Sequence, residues 1–395
     1  MFTSARFSKF LATTSYYLSI GILGSTTAAI GPSLPALADH TSSGLDRISL
    51  IFVFGSLGYL IGSYFGGRGY DRIPGHKFMA VIILALGVAT ALIPVAHALS
   101  LLLLFMFLSG LATGVIDVGC NIMLLWTHGE TAGPFLNGLH FFFGIGSFIA
   151  PLLLAKILLA TGSILWLFWI LALVCVPVAT LLWLLPEPTT HMQADEKRNT
   201  TFPVIPVVFT VLLFLLYVGL ELGFGNWIYT YTLTLGLGTA ITAAYVTSAF
   251  WGSFTIGRLL GVWISTRARP LTILIMDLLG CAIGAILIML WKDSILVLWI
   301  GTIGLGVSMA SIFPTLFLFA GERMQITGTI TGWFLVGSGA GSMLLPWVIG
   351  QIFVLTGPKA MTTVLLVDIV LIMLVLFLFA SRRVIPVPEP ALNTD

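Results

Sequence analysis

Four carboxylates, Asp117, Glu221, Asp277 and Asp368, stand inside long apolar runs, where an ionised acid at mid-membrane costs about 2.5–3.5 kcal/mol. Each therefore needs a partner or a purpose. Asp117 and Asn121 are spaced i, i+4, so on a helix they share one face, which continues Gly110 and Gly114 towards a bundle interior. Asn137 and His140, at i, i+3, lead in the same way to Gly144. Glu221 is central in YVGLELGFGNWIYTY, with Asn226, Trp227, Tyr229 and Tyr231 one to three turns further along. Such a set suits noncovalent capture of a small polar solute: the acids, amides and imidazole meet hydroxyls, and a flat aromatic meets the apolar face of a ring. Trp227 and the tyrosines fit an interfacial aromatic belt equally well, and His140 fits a hydrogen bond between helices. Asp277 and Asp368 read as structural, Arg258 as a partner for an acid or for freed carbonyls, and Lys156 as a snorkelling cation. Paired metal ligands, a GxSxG elbow and a phosphate-cradling loop are all missing from the sequence, so neither an enzyme nor a metal or other cofactor is expected. Cys120, Cys175 and Cys281 have no ligand spacing and read as small core residues.

The elements that must position these residues follow from composition. Of 395 residues 58% are hydrophobic and 8% charged, against roughly 25% charged in an average soluble domain, so lipid is the main solvent. A net charge of +2 is too small to suggest nucleic acid as a partner. Apolar runs long enough for a span of about 20 residues fall near 10–36, 49–67, 78–97, 99–126, 134–160, 163–185, 204–235, 240–265, 271–291, 295–320, 327–354 and 360–380. An all-α protein of twelve transmembrane helices is expected. The first run is too long for the core of a signal peptide and should be retained. The polar, Pro-bounded stretch 186–203 reads as a linker between an N-terminal six-helix bundle, 1–185, and a C-terminal one, 204–395. Twelve Lys and Arg residues fall in loops on one side, among them Arg68, Arg72, Lys77, Arg267, Arg269 and Arg323, against Arg47, Lys292 and Lys359 on the other. The excess marks the cytoplasmic side, which places both termini and the linker there and argues against glycosylation at Asn199.

An offset of 195 residues aligns Gly24 with Gly219, Gly62 with Gly257, Gly66 with Gly261, Gly146 with Gly341, Pro151 with Pro346, and Thr161–Gly162 with Thr356–Gly357. Shared Pro and Thr-Gly positions argue against coincidence and for two pseudo-symmetric bundles with a site between them near the bilayer midplane. Between the second and third runs stands GSYFGGRGYDRIPGHK, which resembles the signature of the major facilitator family in that loop. The resemblance implies a conformational latch built on Gly62, Gly66, Asp71, Arg72 and Lys77; a positive-inside anchor with a Gly turn is the plainer reading. In the second half GRLLGVWISTRAR keeps the glycines but has Thr266 where the acid would stand, so a second latch is not expected. Gly146 and Pro151, with Gly341 and Pro346, read as places where helices bend as the halves rock.

VIDVGCN, NGLHFFFGIGSF and YVGLELGFGNW resemble the narrower sugar-transporting branch that includes the L-fucose permease and the sodium-dependent glucose transporter. That resemblance implies a secondary active transporter for a hexose or related sugar working by alternating access in the cell membrane, as a monomer, and coupled to H+ or Na+ or passive. It also implies an acid on the fourth helix, here Asp117, that contacts sugar or takes part in coupling. The chain departs from the branch at His140, commonly Gln, and around Tyr16, Tyr17 and Ser19, where the permease's acid is missing. Drug or metabolite efflux by an antiporter of the same fold is the alternative.

Overall fold

The computed structural model describes residues 5–188 and 203–382. Lys197, Arg198, Asn199, Arg383, the side chain of Arg6 and most of the 186–203 linker lie outside that description. Among the described residues twelve long helices run in order: α1 Ala5–His40, α2 Leu50–Tyr70, α3 Gly75–Leu92, α4 Leu99–His128, α5 Gly133–Thr161, α6 Leu165–Leu184, α7 Val204–Thr234, α8 Ala240–Ser265, α9 Pro270–Leu290, α10 in two pieces (Ile295–Met309 and Ile312–Gly321), α11 Gly328–Thr356 and α12 Lys359–Ala380. Eleven of the described helices are long and apolar enough to cross a membrane. The exception is α8, diluted by Thr, Ser, Gly and Arg258; its 26 residues still span about 39 Å at 1.5 Å each, and its polar positions face α5 and α10.

Helix ends follow local chemistry. Thr239, Ser294 and Thr327 each accept a hydrogen bond from a backbone N–H three residues on, which satisfies donors the first turn leaves free. Gly162 (φ 68°) closes α5 and Gly357 (φ 71°) closes α11, in a backbone region that glycine enters without a Cβ penalty. The two glycines are a pair under the 195-residue offset.

The span expected over 295–320 is observed as Ile295–Gly321, with a break between two helical pieces inside it. Pro314 has no N–H for the Ala310 carbonyl and its ring crowds that group, so the chain turns at Ala310 and Ser311. Neighbours absorb the break: Tyr217 donates to the Met309 carbonyl at 2.8 Å, and Ser311 donates to Asp277 at 2.5 Å.

Packing repeats between the halves. Pairs α1–α5, α2–α4 and α3–α6 match α7–α11, α8–α10 and α9–α12. A Cβ on Gly146 would run into the Gly21 carbonyl of α1, and one on Gly341 into the Leu215 carbonyl of α7; missing side chains let both pairs of backbones touch. Gly62 and Gly66 lie in the same way against Leu111 and Val115 of α4. Between the halves the seams are α5–α8, α2–α11 and α1–α7. Described polar contacts across them are Gln351 to the Asp46 carbonyl (2.8 Å) at the α1–α2 loop end, Ser56 to Ser342 (2.9 Å) and Ser248 to the Phe148 carbonyl (2.8 Å) at mid-depth, and Arg258 to the His140 carbonyl (3.4 Å) nearer the α8–α9 loop. Towards the α2–α3 loop end Tyr64, Phe65, Trp333 and Val336 are exposed, and a Cβ on Gly328 or Gly332 would meet nothing within 4 Å.

Candidate functional site

Asp117 sits midway along α4, and its carboxylate accepts a hydrogen bond from Tyr59 of α2 at 2.5 Å. Asn121, one turn on, donates through Nδ2 to the Asp117 carbonyl (2.9 Å) and Oδ1 (3.3 Å). All three side chains are half-buried. Close approach of α2 and α4 over Gly55, Gly58, Gly62, Gly110 and Gly114 brings Tyr59 onto the acid. Direct hydrogen bonds to charged groups contribute about 1.5–3 kcal/mol, enough to keep a carboxylate in a helix interior without a cation touching it.

A second group crosses the seam. Glu221 of α7 is 7% exposed, lies beside the Tyr217 hydroxyl and is in electrostatic reach of Arg258 on α8. Arg258 donates to the His140 carbonyl of α5 at 3.4 Å and lies over the Phe254 ring at 4.5 Å. Asn137 and His140, one turn apart in the first third of α5, are both exposed. Asn226 is 7% exposed, and its backbone is pressed by Gly31 of α1. Trp227 is fully buried: Nε1 donates to the Pro346 carbonyl at 2.9 Å and its ring stacks on Phe353 with centroids 5.2 Å apart. In this conformation Trp227 therefore fills the α7–α11 contact, next to Pro346, and faces no open surface. Asp368, 1% exposed, has no hydrogen-bond partner for either oxygen among the described residues.

A match to the family described as Major Facilitator Superfamily covers residues 10–346. The chain belongs to it. Among curated relatives, sodium-dependent glucose transporter 1 of Xenopus laevis is 30% identical over 82% of this chain and 72% of its own length. Sodium-dependent glucose transporter 1A of Mus musculus is 28% identical over 83% and 86%. Among solved structures a D-xylose–proton symporter superposes with a TM-score of 0.78 at 14% identity over 92% of this chain and 97% of that one, and a nucleoside transporter with 0.72 at 15% over 94% and 98%. At such identity the structural likeness is one of fold. This major facilitator is a multi-pass membrane transporter and not an enzyme.

Asp71 and Arg72, just past α2, and Lys77, in the first turn of α3, are exposed, and none makes a side-chain hydrogen bond or ion pair among the described residues. Asp71 and Arg72 border a cleft of about 220 Å³ shared with Tyr70, Trp126 and Glu187. Glu187 accepts from the backbone N–H groups of His76 (2.9 Å) and Lys77 (3.4 Å), a carboxylate at the positive end of α3. The start of the linker thus holds the loop, a contact 110 residues distant that no local spacing announces. Tyr59 could have been suspected from its place among the glycines of α2; Arg258 and Glu187 carry no such signal for their partners.

Asp71→Asn is expected to lower maximal transport rate at least about fivefold with substrate affinity within about twofold, because a latch biases conformations without touching the ligand. Rates in proteoliposomes at matched protein level check this, and an unchanged rate removes the latch.

Proposed function

We propose that this transporter moves a hexose or related sugar by alternating access between bundles 1–185 and 204–395. The observation that carries the reading is Asp117, clamped by Tyr59 and Asn121 inside α4. This is a charged, hydroxyl-binding group where a lipophilic cargo would need none, in a chain whose relatives are named glucose transporters. Asn137 and His140 supply further donors and acceptors from α5, and Glu221 from α7, with Asn226 and Trp227 supporting α7 from behind. Gly146, Pro151, Gly341 and Pro346 are the flexing points, and Asp71 with Arg72 and Lys77 the latch. With basic loops inside, the seams closed at the α1–α2 loop end correspond to an inward-facing state. Sodium in the relatives' names and a proton symporter among the fold neighbours support coupling to Na+ or H+; the proposed carrier works as a monomer in the cell membrane.

Uptake of radiolabelled D-glucose into proteoliposomes, driven by an inward Na+ or H+ gradient, tests this reading. Accumulation that collapses with the gradient is expected. Transport of ethidium with no hexose uptake supports the efflux alternative instead. Orientation is checked separately. Cysteines at Arg269 and Asp293 should label with an impermeant maleimide from opposite sides of the membrane, and labelling of both in intact cells contradicts cytoplasmic termini.

A further inference from the structure

Gln351 interrupts the apolar end of α11, WVIGQIFVL, and no assignment above gives it a role. Half-buried, it donates through Nε2 to the Asp46 carbonyl at 2.8 Å and to Ser49 Oγ at 3.2 Å. Both acceptors belong to the other bundle, on the four-residue helix Leu45–Ile48 of the α1–α2 loop and its C-cap. The last carbonyls of a helix have no N–H one turn on. Ser49 Oγ donates to that of Asp46 at 2.6 Å, and Gln351 brings a second donor from 305 residues away. The backbones are pressed together at the same level: a Cβ on Gly350 would run into the Ser49 side chain and lie 3.1 Å from the Leu45 carbonyl. Phe52 and Trp227, with ring centroids 6.5 Å apart, and Phe353, stacked on Trp227, form an apolar plug beside this polar contact.

The repeat does not require such a bridge. Under the 195-residue offset Gln351 is equivalent to Lys156 on α5, which is exposed and makes no side-chain hydrogen bond or ion pair among the described residues. The course of the seam shows what the bridge controls. α2 and α11 run antiparallel, and their touching pairs keep one register: Ser49 with Gly350, Ser56 with Ser342, Leu60 with Gly339. Continued past Leu60, that register would lay Gly67 on Gly332, yet a Cβ on Gly332 would meet nothing within 4 Å. The seam is therefore shut from the α1–α2 loop to mid-depth and parted beyond. For a solute to enter from the α1–α2 loop side, the shut part must open, and both hydrogen bonds of Gln351 break with it.

We propose that Gln351 is the outer latch of the transport cycle, a positioning residue that holds the α2–α11 seam shut through the Asp46 carbonyl and Ser49 and so sets the ratio of outward-open to inward-open protein. The proposal rests on the alternating-access reading but on neither the sugar nor the coupling ion. Water replaces part of each bond when the seam opens, so losing both should raise that ratio roughly 5- to 100-fold.

The test is a pair of distances measured by double electron–electron resonance on full-length protein in nanodiscs, where the native cysteines are buried. Nitroxides on Arg47→Cys and Leu355→Cys report the outer end of the seam, and on Tyr64→Cys and Trp333→Cys the inner end, all four being exposed positions. Gln351→Leu should populate a longer outer distance and, in the same fraction of molecules, a shorter inner one. Ser49→Ala, which leaves the Asp46 carbonyl as acceptor, should shift both populations less, and Lys156→Leu should shift neither. A merely local role would lengthen the outer distance and leave the inner one unaltered; that result, or no change in either, overturns the proposal. Should Gln351→Leu fail to fold, Gln351→Glu at pH 8 keeps the shape, turns the donor into an acceptor facing the Asp46 carbonyl, and should give the same opposed shifts. In the wild type the outer-long and inner-short populations should match. A mismatch there removes alternating access itself, whereas a match that Gln351→Leu leaves unaltered removes only the latch.

Discussion

Asp117→Asn is expected to reduce gradient-driven uptake roughly 100-fold while leaving the protein folded, since the amide oxygen still accepts from Tyr59, now 2.5 Å from the carboxylate. What disappears is the ionisable carboxyl and one of its two acceptor oxygens, while Tyr59 and Asn121 remain in place. Counterflow then identifies the use. If Asp117 carries the proton, exchange survives, because exchange needs no net proton movement; if Asp117 holds a sugar hydroxyl, uptake and exchange fail together. Full uptake and full counterflow in Asp117→Asn would make the acid structural and remove the centre of the site. Tyr59→Phe, which deletes one donor and leaves the acid, should cost less than Asp117→Asn in the same assay.

The second large effect concerns backbone contact. Gly146→Leu should prevent isolation of monodisperse protein, and Gly341→Leu should do the same, because each Cβ would displace a carbonyl of the facing helix, that of Gly21 or of Leu215. Overpacking of this kind usually costs about 1–3 kcal/mol where flexible side chains can give way; a backbone obstacle leaves only separation of the helices. Gly304→Leu is the control, since nothing lies within 4 Å of a Cβ there. Size-exclusion profiles and thermal midpoints in detergent measure all three. A midpoint for Gly146→Leu equal to that of Gly304→Leu contradicts the crossing, and unlike outcomes at Gly146 and Gly341 contradict their equivalence.

Helix positions were legible because a bilayer demands long apolar segments with internally satisfied backbones, and each observed helix lies within a few residues of its run. The repeat was legible because close crossings reuse glycine at fixed offsets. The break in α10 had its signal in Pro314, hidden by an otherwise continuous apolar run. Within the site, Asp117 and Asn121 were readable as a pair because one helical turn separates them. By contrast, the bonds of Tyr59 to Asp117 and of Arg258 to His140 join helices 58 and 118 residues apart, and depend on how each helix is rotated about its axis. Period and spacing do not encode that rotation. Trp227 illustrates the same limit: its placement in YVGLELGFGNW allowed a cavity face, an interface or a packing role, and only the Pro346 carbonyl and the Phe353 ring distinguish them in this conformation.

Counterflow of radiolabelled D-glucose in proteoliposomes preloaded with unlabelled hexose measures sugar translocation without any assumption about the coupling ion. The account predicts a transient overshoot of label in wild-type vesicles, abolished by omitting the internal hexose and competed by external hexose. Absence of the overshoot with folded, reconstituted protein, across a panel of hexoses and pentoses, would contradict sugar transport by this chain.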